Sequence, residues 1–61
     1  MKEKIIKIIK LNNKYYVSIS DDSTKPAPIV AQFYDQTFLN LFLKSLKTYE
    51  DYNSYEIVYD D

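Results

Sequence analysis

Lys4-Ile5-Ile6-Lys7-Ile8-Ile9-Lys10-Leu11-Asn12-Asn13-Lys14-Tyr15-Tyr16-Val17-Ser18-Ile19-Ser20 is the stretch that decides the fold. Its first half reads two ways. On a helical wheel Lys4, Lys7 and Lys10 gather on one side, as in a cationic peptide lying on a membrane surface. As a strand, Ile5, Ile9 and Leu11 share one face with Lys7, while Ile6 and Ile8 share the other with Lys10. The isoleucines at 5, 6, 8 and 9 favour the strand, because a side chain branched at Cβ fits a pleated surface better than a helix. Asn12-Asn13 supports the same choice. A tight hairpin turn needs positive φ, Asn tolerates it, and the chain has no Gly to supply it. Beyond the turn, Tyr15, Val17 and Ile19 alternate with Tyr16, Ser18 and Ser20. A β-hairpin over residues 3–20 follows.

Working outward, Asp21-Asp22-Ser23-Thr24-Lys25-Pro26-Ala27-Pro28 is a loop of turn formers whose prolines cannot continue a strand ladder. Residues 29–34 alternate again and read as a third strand. Asp35 is placed to cap a helix over about 36–49, and Tyr34 and Leu39 occupy the two positions of a hydrophobic staple. Phe38, Leu39, Leu41, Phe42, Leu43, Leu46 and Tyr49 cover a wide arc of that helix, with Lys44 and Lys47 in the half where the helix dipole favours cations. The arc is wider than a small sheet needs, so Leu41 or Leu43 at its edges is expected to be left over. Residues 50–54 break the period, and 55–59 close as a last strand with Tyr55, Ile57 and Tyr59 on one face. The expected fold is a single small α+β domain over 1–61, ordered ββ-β-α-β, with one amphipathic helix on one face of a mostly antiparallel sheet.

Composition bounds the function. A chain of 61 residues buries only about 60% of the surface its unfolded form exposes. Small folds commonly add disulfides, metals or partners, and the absence of Cys removes the first. A homodimer is therefore a reasonable expectation. Hydrophobic residues make up 46% and charged residues 28%, with a net charge of −1, which reads as globular. No apolar run approaches the ~20 residues of a membrane span. Lysines interrupt the N-terminal isoleucines, so no signal-peptide core is visible, and the cytoplasm is the expected location. Lys, Ile, Asn and Tyr dominate while Gly and Arg are missing. That usage follows A/T-rich codons and points to a low-GC bacterium or one of its phages.

The missing residue types also exclude chemistries. Without His or Cys there is no imidazole base, no thiolate nucleophile and no ordinary zinc set. Without Gly there is no phosphate-cradling loop. The Asp21-Asp22-Ser23-Thr24 and Asp60-Asp61 clusters lack the spacing of a calcium loop and read as a solvated turn and a tail. No cofactor, metal or catalytic residue is expected.

Charge is polarised along the chain. Residues 1–14 hold Lys2, Lys4, Lys7, Lys10 and Lys14, whereas 50–61 hold only Glu50, Asp51, Glu56, Asp60 and Asp61. Two uses are open. Adjacent terminal strands would pair these charges across the sheet. Alternatively, the carboxylates surround a tyrosine-rich surface that docks on a basic partner. The candidate contact residues are Leu41, Leu43, Tyr49, Tyr52, Tyr55 and Tyr59, with Glu50, Asp51 and Glu56 setting partner choice. The expected function is a small non-enzymatic protein-binding module, of the kind a phage or mobile element uses to regulate or inhibit a host protein. The rival is a nucleic-acid-binding module using Lys4, Lys7, Lys10 and Lys14. Lack of Arg and a net charge of −1 weigh against it.

Overall fold

A computed structural model describes residues 4–22 and 24–60. Expectations that involve Lys2, Glu3, Ser23 and Asp61 lie outside the described residues. Four strands and one helix form in the order β1 (Ile5–Leu11), β2 (Lys14–Ser20), β3 (Ile29–Phe33), α1 (Gln36–Leu46) and β4 (Glu56–Asp60). The sheet order is β3-β2-β1-β4. β2 is antiparallel to both β1 and β3, and β4 runs parallel to β1. This is the expected α+β fold with a mostly antiparallel sheet.

The hairpin turn is made as its residues require. Asn12 and Asn13 take φ of 52° and 64°, the left-handed values that few residues other than Gly accept at low cost. Leu11 then pairs with Lys14, and the register runs to Ile5 opposite Ser20. That register sends Ile6 and Ile8 of β1 and Val17 of β2 to the helix side, where Leu39, Leu43 and Leu46 complete the core. Ile6, Ile8, Val17 and Leu39 are fully buried, each worth about 2 kcal/mol in apolar surface removed from water. Tyr15, Ile19, Ala31, Phe33, Phe42 and Ile57 pack around them. The sheet's other face keeps Ile5, Lys7, Ile9 and Leu11. Lys25 and Ala27 share a hollow of about 180 Å³ with Ile5, Lys7, Ser18 and Ser20, so this part of the β2–β3 loop lies over one end of that face. Within this loop Asp22 accepts from the hydroxyl and the N–H of Thr24, at 2.7 and 3.0 Å, which holds its carboxyl below the ordinary range.

The helix begins as the sequence implies. Asp35 is extended, and its carboxylate accepts the N–H of Thr37 at 2.7 Å, satisfying one orphan donor of the first turn. The staple partner behaves otherwise. Tyr34 stays exposed, and its ring centroid lies 5.5 Å from Lys14 Nζ, a cation–π contact. The helix also stops at Leu46, short of 49. Thr48 and Tyr49 donate to the carbonyls of Ser45 and Leu46, tightening the last turn. Lys47 reaches beyond the helix and donates its ammonium to the carbonyls of Asn53 and Tyr55. With no Gly to form an ordinary C-terminal cap, one lysine ties the helix end to the turn that enters β4.

Candidate functional site

The residues expected to form one contact surface fall in four places. The connection from α1 to β4 gathers Tyr49, Glu50, Asp51, Tyr52, Tyr55 and Glu56 at one end of the sheet. Tyr52 and Tyr55 are half-buried against the core, with ring centroids 5.3 Å apart at 50°. They form the base of this end. Tyr49, Glu50, Asp51 and Glu56 are exposed around them. Backbone bonds hold the segment in successive turns: Tyr52 and Asn53 donate to Tyr49, Tyr55 donates to Tyr52, and Glu56 donates to Lys4. The geometry is therefore fixed by main-chain bonds and a ring pair, although the segment is neither helix nor strand.

The electrostatics of this end are negative. Burial pushes the Tyr55 phenol above its ordinary value, and Asp21, Tyr52 and Asp51 add to the effect. Asp21, at the end of β2, thus belongs to the same acidic surrounding, a contribution no local sequence signal gives. Two cations at this end are engaged. Lys47 is held by the two carbonyls, and Lys4 Nζ lies 5.9 Å from the centroid of the Tyr55 ring.

Tyr59 and the leucines go elsewhere. Tyr59 sits three residues beyond Glu56, about 10 Å along the strand. There it borders a groove of about 280 Å³ with Ile8, Lys10, Tyr15, Gln36 and Asp60, at the helix N-terminal end. Leu43 is only 5% exposed and belongs to the core, so it is not a surface anchor. Its place on the wheel lies within 40° of Leu39, well inside the buried stripe at ~100° per residue. Leu41 is the residue left over, 55% exposed, on the side of the helix turned away from the sheet. Phe38, one turn before Phe42 on the β3 flank, is 61% exposed, and Ile29 and Val30 on β3 are also about half exposed. Sequence reading passed over these last three. Phe38 was absorbed into the apolar arc, and Ile29 and Val30 need the sheet order to be recognised as an outer strand.

The lysine track of the rival reading does not converge. Strand alternation sends Lys10 to the helix side and Lys7 to the opposite face, and Lys14, paired with Leu11, shares the face of Lys7. Lys7 Nζ lies 3.3 Å from an Asp60 carboxylate oxygen, the one ion pair among the described residues. Lys4, Lys10 and Lys14 each stand over a tyrosine ring at 5.5–5.9 Å. The β1–β4 neighbourhood thus supplies one of the charge pairings expected between terminal strands, and leaves Glu50, Asp51 and Glu56 outside it.

Among the described residues no group of three carboxylates is placed to hold a metal ion, and no helix is long and apolar enough to cross a membrane. No protein-family model, curated protein or solved structure matches the chain.

Proposed function

We propose that the protein is a non-enzymatic binding module that docks on another protein through the acidic tyrosine end formed by Tyr49, Glu50, Asp51, Tyr52, Tyr55 and Glu56. The observation that carries this reading is the arrangement of that end. A half-buried Tyr52–Tyr55 pair supports exposed Tyr49 and three exposed carboxylates, while Lys47 and Lys4 are engaged by carbonyls and by the Tyr55 ring. Tyrosine supplies rigid amphipathic contact area, and a rim of one sign selects a partner of the other. A basic protein surface is the complementary class. The A/T-leaning residue usage attaches the biological setting: a phage- or mobile-element-type regulator or inhibitor of a host protein, acting in the cytoplasm by steric and electrostatic docking.

Affinity capture from a low-GC bacterial lysate tests the reading when run with two baits. The native chain should retain a basic partner that elutes as salt rises. A Glu50→Lys/Asp51→Lys chain with unchanged circular dichroism should lose it. Equal retention by both baits, or retention of nucleic acid in place of a protein, would sink the assignment.

A further inference from the structure

Among the described residues, β3 and β4 are the outer strands of the sheet and carry unpaired backbone groups. Natural sheets blunt such edges with charge, proline or bulges, because an uncharged edge is a template for another strand. β3 reads Ile29-Val30-Ala31-Gln32-Phe33, with no charged side chain. Its register shifts opposite Val17 and Ser18, which leaves Ala31, Gln32 and Phe33 in regular pairing. The direction of their backbone groups follows from the hairpin. A two-residue turn closes on a hydrogen-bonded pair, here Leu11 and Lys14, and bonding alternates along antiparallel strands. Tyr15 and Val17 therefore bond toward β3, onto Phe33 and Ala31. Gln32 between them turns its N–H and C=O outward.

The layer above this edge is also uncovered. Phe42 packs on Phe33 with centroids 5.2 Å apart, and Phe38 continues the same helix flank into solvent. We propose that a second copy of this chain pairs antiparallel along β3, centred on Gln32, and joins the two four-stranded sheets into one. In the two-fold arrangement Gln32 faces its own copy, an amide pair in which each side both donates and accepts. Ala31 faces Phe33 of the second copy on the helix side, small against large. The exposed Phe38 flanks of the two helices come together over the new seam. No like charges meet. The same operation on β4, centred on Val58, would set Glu56 against Asp60, carboxylate on carboxylate.

This inference stands apart from the tyrosine-end reading, since it uses the opposite edge of the sheet.

Sedimentation equilibrium over a concentration series into the millimolar range tests it. The native chain should approach twice 7.3 kDa. Gln32→Lys, which opposes two lysines across the axis, and Phe38→Lys should each return the mass to a single chain with circular dichroism unchanged. Glu50→Lys/Asp51→Lys should leave the dimer intact. A native mass that stays at one chain throughout, or a dimer that survives both single lysine variants, overturns the proposal. Should a variant unfold, hydrogen exchange on the native chain decides: the Gln32 amide should slow as concentration rises, and an unchanged rate overturns the proposal.

Discussion

β3 and β4 bound the same sheet, pack under the same helix and have the same length of five residues, yet they present opposite chemistry to whatever approaches. β3 is uncharged along its length, with Ile29 and Val30 half exposed and an apolar helix flank above it. β4 begins in Glu56 and ends in Asp60, and the latter is tied to Lys7 of the neighbouring strand. An edge that ends in carboxylates repels a copy of itself, whereas an edge of Ile, Val, Ala, Gln and Phe does not. The difference teaches that a sheet this small can carry opposite chemistry on its two edges. Charge placement alone separates them.

The most drastic way to break the comparison is to remove the support both edges share. Leu39 is fully buried beneath the sheet, and Leu39→Ala should cost about 2–5 kcal/mol, enough to unfold a chain this small. Urea denaturation measures it, and a loss below that range would mean the layer closes the cavity by shifting. A sharper intervention makes β4 resemble β3. Glu56→Gln with Asp60→Asn should create concentration-dependent association that Gln32→Lys does not suppress, read by light scattering. If no association appears, charge is not what keeps that edge apart.

Asp35→Ala acts at the junction that follows β3. It deletes the cap on Thr37 N–H and should cost about 1 kcal/mol by thermal or urea melting. The smallest effect belongs to the β4 side and is alkaline. The Tyr55 phenol is raised, so the folded state holds that proton more tightly than the unfolded chain does. Its contribution to stability is whole below the ordinary tyrosine value near 10 and is lost as pH rises through the higher folded value. Ultraviolet titration of the tyrosinates should lose a late-ionising step in Tyr55→Phe. An unaltered alkaline limb would remove Tyr55 from the acidic end.

The parts of this molecule legible in its sequence are those fixed by neighbours along the chain. Asn12-Asn13, the alternation of Tyr15, Val17 and Ile19, and the Asp35 cap each obey local rules that tertiary contacts left untouched. The order of the strands was not legible, because nothing in Glu56–Asp60 states that it pairs parallel to β1 and not with β3. The helix end was misjudged for a related reason. After Leu46 the chain tightens into turns, with Lys47 bonded to carbonyls six and eight residues onward, where periodicity alone would have continued the helix. The candidate contact surface was half legible. Tyr49 to Glu56 stay together because the turns are local, whereas Tyr59 and Leu41 are carried to other parts of the fold by strand length and helix phase.

The parallel pairing of β4 with β1 also sets an order of events for the growing or refolding chain. β1 meets β2 across a two-residue turn, a closure that costs little chain entropy. Its other neighbour arrives only when Ile57 comes beside Ile6, fifty-one residues later in sequence. Closing that larger loop adds about 2 kcal/mol over the hairpin by the logarithmic dependence on length. On loop length alone, Ile6 and Ile8 should pair in a hairpin before β4 reaches them. Folding speed should follow that late, non-local step more closely than the rapid formation of the turn. The interval between the two is when the isoleucine strand is open to unintended partners.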